Sequence, residues 1–449
     1  MTQATLPRIL GFRDLVLLTL GSVIGSGIFI VPASVMQSTG GQLGPALLVW
    51  IAGGVLSVLG ALTYAELAAI KPDAGGIYVY IRDACGSFVA FLYGWALFFV
   101  ISSATIATLA VAFAGYLGQF VPLTVWESRA VAAGMVVVLA VVNVIGTRQS
   151  ANLQNWTTAI KVGAILLMSA LMLTKGEGLA AVHLSTSSSE SSLLLGMGAA
   201  LIGVMWAYEG WHCITYSAGE AIDPQRTVGR AIVVGTAALI AIYLLANVAY
   251  VAALGPERSA QSERIAAEAI EAMLGPRAGQ LIALVILVSI FSAANATVLT
   301  ATRVYFAMAR DGIFFERMGE VHPRWQTPAF AVIVSCAWAA VMAACGGFEE
   351  LLTYVVFAGW IFYALGAASI FYYRRLGTHG TPVFQTPLYP WTPIMFVLAA
   401  GALVLNTVIL EPGRAVVGTG LILLGAPAYW FWRRKRGVVP QENLSRVNP

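Results

Sequence analysis

This 449-residue sequence is poor in charge: Asp, Glu, Lys and Arg make up 10% of it, against a hydrophobic share of 59%. A water-soluble domain carries about 25% charged residues. A globule leaves much of its chain at the surface, so a chain of this composition cannot hide its apolar side chains in one core. Its solvent is lipid, in keeping with a mean hydropathy of +0.81. Residues 15 to 65 hold no Asp, Glu, Lys or Arg, and neither do residues 84 to 126. Each run is long enough for about two spans of ~20 residues.

Cysteine and histidine are also scarce. The four Cys (Cys85, Cys213, Cys336, Cys345) have no ligand-like spacing, which excludes a zinc site or a disulfide framework and leaves them as small packing residues. His183, His212, His322 and His379 lie far apart, and no HExxH, nucleophile elbow or phosphate loop accompanies them. An enzyme, a resident metal and a cofactor are therefore not expected. GGIYVY at 75 to 80 reads as a re-entrant turn in a loop between spans, not as a nucleotide cradle. The net charge of +4 is modest, and basic residues stand singly except for Arg433, Arg434, Lys435 and Arg436. That cluster reads as a cytoplasmic anchor and not as a nucleic-acid surface. The N-terminus, MTQATLPRILGFRDL, lacks a short apolar core followed by a small-residue cleavage site, so the first span is expected to be retained.

Apolar segments fall near 14 to 38, 43 to 68, 87 to 119, 129 to 147, 152 to 174, 194 to 218, 229 to 254, 279 to 308, 328 to 346, 351 to 373, 393 to 411 and 415 to 432. The expected fold is an all-α polytopic membrane protein of twelve transmembrane helices. With both termini inside, cytoplasmic segments hold 17 of the 25 basic residues and outside segments six, a bias that supports this orientation. The outside segments include a Ser-rich stretch at 185 to 192 and a charged stretch at 255 to 278 with room for a short helix.

Two spans look broken. Span 1 reads LTLGSVIGSGIFIVP, with Gly21, Gly25 and Gly27 within seven residues. Glycine weakens a helix, so an unwound segment whose freed amides face an anionic group is one reading; close small-residue helix packing is the other. Span 6, GVMWAYEGWHCITYSAGE, puts Glu209 and Gly210 in the middle of an otherwise uncharged run from 191 to 219. A carboxylate at that depth is costly and marks a functional site by default. Two breaks five spans apart are the signature of an inverted five-plus-five repeat with a midplane site. The repeats would be 14 to 174 and 194 to 373, with two extra helices at 393 to 432 and a cytoplasmic tail at 433 to 449. Lys161 in span 5 lies roughly ten residues, or ~15 Å, from either end. It is too deep to snorkel and needs carbonyl or hydroxyl partners, which unwound backbone from span 1 could supply.

GSVIGSGIF at 21 to 29, TYAELAAIKPDAGGIYVYIRDACG at 63 to 86, WAYEGW at 206 to 211, GEAIDPQRTVGRAI at 219 to 232 and TATRVYFAMARDG at 300 to 312 carry a resemblance. Across nearly the whole chain the sequence resembles the amino acid, polyamine and organocation transporters, and within them the L-type amino acid transporter branch. The resemblance implies that Gly25, Ser26 and Gly27 receive the substrate carboxylate, with Tyr250 nearby. Trp206, Ala207 and Glu209 would receive the ammonium, with Trp206 as the lid. Ile24 and His212 would belong to the side-chain pocket. Lys161 matches the lysine whose ammonium stands where related carriers hold sodium, which implies sodium independence. Glu209 occupies a position where an acid accompanies recognition of cationic side chains; pairing with Lys161 or His212 is the competing role.

The expected activity is alternating-access transport of L-amino acids across the plasma membrane, as exchange. Proton symport and a cationic amino acid or polyamine carrier are the alternatives. A membrane amino-acid sensor is the reading from another class, against which the short tails speak. A channel would need repeated polar or charged rings, and none is visible. Animal members of the branch join an ancillary glycoprotein through a cysteine between spans 3 and 4. GQFVPLTVWESRA here has none, so a stand-alone carrier of a bacterial inner membrane is expected, with lipid and a small-molecule amino acid as its partners.

Overall fold

The structure, a computed structural model, describes residues 6–181, 190–345, 348–377 and 383–435. Among the described residues no strand forms beyond one isolated bridge between Leu10 and Ala221. The chain opens with α1 (Phe12–Val23) and α2 (Gly27–Ser38), bent by 47° at a break at 24 to 26. α3 (Leu43–Ile70) follows, then α4 (Ile77–Cys85). The next span joins α5 (Ser87–Ala96) to α6 (Ser102–Leu117) through one π-helical turn, Leu97–Ile101. α7 (Val125–Ile145) starts from a capping box in which the Thr124 and Glu127 side chains bond each other's backbone N–H. Only Gly146 separates it from α8 (Thr147–Lys175).

α9 (Glu190–Ala207) stops at the expected second break, and a 3-10 helix, Cys213–Glu220, carries the chain on. α10 (Pro224–Leu254) begins with Pro at its first position, where the missing N–H costs nothing. Two short helices, α11 (Pro256–Gln261) and α12 (Ile265–Leu274), fill the 255 to 278 stretch where one was expected. α13 (Ala278–Arg310), α14 (Ala329–Cys345), α15 (Phe348–Leu376), α16 (Trp391–Leu410), α17 (Pro412–Leu423) and α18 (Gly425–Lys435) complete the bundle. Among the described residues eight helical stretches are long and apolar enough to cross a membrane, and the bent pair α1–α2 makes a ninth; α9 and α14 are shorter apolar helices. The Ser-rich stretch up to Ser189 and the tail from 436 lie outside the described residues.

The core is largely apolar, but α8 is inverted, polar inside and apolar outside. On α8 the buried face carries Thr147, Ser150, Gln154, Thr158 and Lys161. Its exposed face carries Trp156, Ile160 and Leu167. Such a helix is stable only with lipid on one side and satisfied polar partners on the other. The partners come from α13 and α7. Gln154 donates to Ser292 (3.0 Å), Asn295 donates to Gln154 (3.0 Å), Thr157 is 3.0 Å from Ser292, and Ser150 donates to Asn143 (2.8 Å).

At the N-terminal end of this seam, Arg303 of α13 forms a fully buried ion pair with Glu220: Nε donates to Oε2 at 2.5 Å and Nη2 to Oε1 at 3.0 Å. Thr147 closes the cluster by accepting from Arg303 and donating to Glu220, both at 2.8 Å. The Glu220 carbonyl also accepts the N–H groups of Ile9 and Leu10, so the segment before α1 is strapped across the end of the half-helix. GGIYVY is more than a turn: Gly75 and Gly76 take positive φ (106° and 44°) and launch α4, whose Ile77–Ile81 stretch is buried. Cys85 departs from the packing role expected of it, since it is exposed at the end of α4.

Candidate functional site

The two breaks meet. A Cβ placed on Gly27 would lie 3.0 Å from the Ala207 Cβ and 3.5 Å from the Trp206 ring, so only a glycine lets α2 approach the end of α9 this closely. Ser22 of α1 donates to the Gly210 carbonyl at 3.0 Å. Tyr243 of α10 donates to the Ala207 carbonyl (3.1 Å) and lies 3.3 Å from that of Val23, joining both breaks through one hydroxyl. Gly210 adopts φ 120°, a conformation closed to other residues, which turns the chain from α9 toward the 3-10 segment.

Lys161 reaches the first break. Its Nζ donates to the carbonyls of Gly21 (2.8 Å) and Ile24 (2.5 Å), at the end of α1 where the helix leaves its carbonyls unpaired and its dipole is negative. Ser289 of α13 completes this knot, bonding the Ile24 (3.0 Å) and Gly25 (2.9 Å) carbonyls. Gly21 itself is pressed against α8: a Cβ there would overlap Gln154 and Thr158. Lys161 thus holds unwound backbone, as its depth required, and no ion pair joins it to Glu209 among the described residues.

Between the breaks lies a cavity of ≈ 110 Å³, several times what one water needs. Gly25, Ser26, Gly27, Trp206, Ala207, Glu209 and His212 all line it. α2 starts at Gly27, so the leading N–H groups of its first turn have no acceptor within the helix. On the other side the Trp206 carbonyl accepts from Glu209 N (3.1 Å) and that of Ala207 from Tyr243; each keeps a second lone pair. The half-buried Glu209 receives the Tyr363 hydroxyl on Oε1 at 2.8 Å, whereas its buried Oε2 has no partner. His212 is buried with its ring centroid 4.2 Å from that of Tyr363, and no ion pair links it to Glu209 among the described residues. The balancing role for Glu209 therefore finds no geometric support.

Two expected residues stand elsewhere. Ile24 is wholly buried and does not line the cavity; it contributes its carbonyl, not its side chain. Tyr250 is buried away from the cavity with an unpartnered hydroxyl, and Tyr243, two turns earlier on α10, is the tyrosine that touches the breaks. The far wall was not legible as a site. It consists of Leu97 and Ile101 of the π turn, Ser102, Thr105 and Thr108 of α6, Thr297 and Thr300 of α13, Cys213 and Tyr363. The Thr108 hydroxyl is buried and unpartnered. A π turn widens a helix where a ligand or bend requires it, and here it faces the cavity.

A family profile described as amino acid permease matches residues 10–431. The chain belongs to the amino acid permease family. It is 30% identical over 434 residues to the serine/threonine exchanger SteT of Bacillus subtilis (strain 168), covering 96% of this chain and 98% of that protein. It is also 30% identical to the human b(0,+)-type amino acid transporter 1 over 95% of this chain and 88% of that protein, and to the human cystine/glutamate transporter over 93% and 84%. This amino acid permease is accordingly an integral multi-pass membrane protein and a transporter, not an enzyme.

Proposed function

We propose that the protein exchanges L-amino acids across the membrane without sodium, and that cationic amino acids are among its substrates. The observation that carries this reading is the unpartnered Glu209 Oε2 in a cavity bounded by both helix breaks. A zwitterion fits between them: helix-start amides at Gly25–Gly27 favour the carboxylate, and the carbonyls of Trp206 and Ala207 favour the ammonium. A Lys, Arg or ornithine side chain then supplies the partner that Glu209 lacks, and without it the buried carboxylate oxygen stays costly. Trp206 is the lid. Lys161 occupies the carbonyl cage at the end of α1, leaving a second cation nothing to gain there. Exchange is supported by the one relative named above as an exchanger, SteT.

In this reading the twelve spans form two inverted repeats of five plus two extra helices, both termini are cytoplasmic, and the carrier works without a disulfide-linked subunit in a bacterial inner membrane. The bias of basic residues supports the orientation. Uptake of labelled Ala, Leu, Met, Arg and Lys by purified protein in liposomes, with and without internal amino acid, tests it. Uptake that requires internal substrate and is indifferent to sodium is the expected result. Uptake into empty vesicles driven by an imposed proton gradient would replace exchange by symport.

A further inference from the structure

A second, basic cavity of ≈ 410 Å³ opens at the corner where α7 turns into α8, at the N-terminal end of the bundle. Its charged lining residues are Arg148 and Arg324, and no Asp or Glu lines it. Two carboxylates stand behind the lining: Asp14 accepts Arg148 Nη1 at 2.9 Å and Asn155 at 2.6 Å, and Glu220, which accepts Thr147 at 2.8 Å, is already paired with Arg303, so the two lining arginines exceed the acids free to answer them. Because only Gly146 separates two membrane-crossing helices, this corner lies at the lipid–water boundary.

The loop that presents Arg324 is a built structure. His322 accepts the N–H groups of Arg324 and Trp325 on Nδ1 (both 3.2 Å), and its ring stacks on Trp325 with centroids 4.3 Å apart. Thr327 pins the loop to α7 by donating to the Val144 carbonyl at 2.8 Å. Trp325 lines the cavity, where an indole at the membrane surface is at home. From the cavity an exposed apolar stripe runs down α7 through Ile145, Val141 and Val138.

We propose that this cavity holds the phosphate of an anionic phospholipid headgroup, with an acyl chain along the Ile145–Val141–Val138 stripe. Guanidinium forks match phosphate oxygens, and basic pockets between spans at a membrane surface bind such headgroups. A free phosphate would use the two arginines but not the stripe, which is why the lipid is the occupant.

The test is native mass spectrometry of the purified transporter released from micelles doped with phosphatidylglycerol or phosphatidylethanolamine. Wild type should retain phosphatidylglycerol in preference to phosphatidylethanolamine. Arg324→Ala, in an exposed loop, should lower that retention about five- to tenfold, and Arg324→Lys should recover part of it. Arg129→Ala, at the opposite end of α7, should change nothing. An unaltered melting temperature in zwitterionic micelles shows that Arg324→Ala is folded. Equal retention of both lipids, or equal phosphatidylglycerol retention by wild type and Arg324→Ala, overturns the proposal. A melting shift with inorganic phosphate as large as with phosphatidylglycerol, lost in Arg324→Ala, would assign the cavity to a free anion and overturn the lipid as its source.

Discussion

Lys161 of α8 and Ser289 of α13 bond the same acceptor, the Ile24 carbonyl at the end of α1, from 2.5 and 3.0 Å. One unwound turn is thereby held by two helices that are otherwise zipped together by Gln154, Ser292 and Asn295. Any movement of α1 during transport has to be made against this knot, or together with it.

Lys161→Met keeps the length of the side chain and removes its donors. The Gly21 carbonyl then loses its side-chain partner, while Ile24 retains Ser289. A buried acceptor left unpaired costs about 1–3 kcal/mol. Exchange in liposomes should fall more than about tenfold, with a lower melting temperature in detergent. Near-normal exchange by a folded Lys161→Met protein would remove the lysine from the transport cycle.

Glu209→Gln preserves shape and abolishes the charge. Competition by Arg and Lys against labelled substrate should weaken by at least about tenfold, which corresponds to roughly 1.4 kcal/mol. Competition by Leu should stay within about twofold. Tyr363→Phe removes the hydroxyl held on Oε1 and should weaken Arg less than Glu209→Gln does. Parallel loss for Arg and Leu in Glu209→Gln would make the acid a structural member of the break and not a reader of side chains.

Gly210→Ala tests the second break. The residue sits at φ 120°, and its Cβ would lie 2.9 Å from the Ser22 carbonyl oxygen. Strain and contact would push the two breaks apart where Ser22 now bonds Gly210. A strained backbone position costs about 1–3 kcal/mol, so a folded protein with at least about tenfold slower exchange is expected. Gly134→Ala on α7, where an added Cβ meets no atom within 4 Å, should be neutral or slightly stabilising. Liposome exchange and thermal melting of the two variants, side by side, decide whether the break or glycine content in general matters.

What could be read from the sequence was whatever violates the rules of a lipid-solvated helix. Glycines crowded at 21 to 27, a carboxylate at 209 and an ammonium at 161 each carry a cost that only a site repays, so they stand out one by one. Ser289, Tyr243, Tyr363 and Thr108 break no such rule. Hydroxyls are ordinary in membrane helices because they can bond their own helix backbone, and only three-dimensional proximity reveals which of them turn to a break. The exchange of Tyr250 for Tyr243 has the same cause: two tyrosines two turns apart share one helix face, and their depth along the helix, roughly 10 Å apart, decides between them. The ion pair of Arg303 was hidden for another reason. Arg303 was visible inside a span, but its partner Glu220 is 83 positions away, just past the second break, where an acid reads as a loop residue.

That ion pair gives the last test. Glu220 and Arg303 are both fully buried and joined by two hydrogen bonds, with Thr147 satisfying a further valence on each. Removing one member leaves the other charge without compensation, which costs about 3–5 kcal/mol; replacing both by neutral groups of similar size often costs far less. Glu220→Gln and Arg303→Met should therefore each lower the melting temperature more than the double variant does, a non-additivity that a double-mutant cycle measures directly. The functional readout follows from the strap. Because the Glu220 carbonyl also anchors Ile9 and Leu10, loosening this residue should free the N-terminal segment and open that end of the bundle. In a Cys85→Ser chain, a thiol-directed probe should then label a cysteine introduced in place of Ile9 several-fold faster in the Arg303→Met background than without that substitution. Additive melting shifts together with unchanged labelling would show that the pair neither stabilises the closed end nor ties the strap to it.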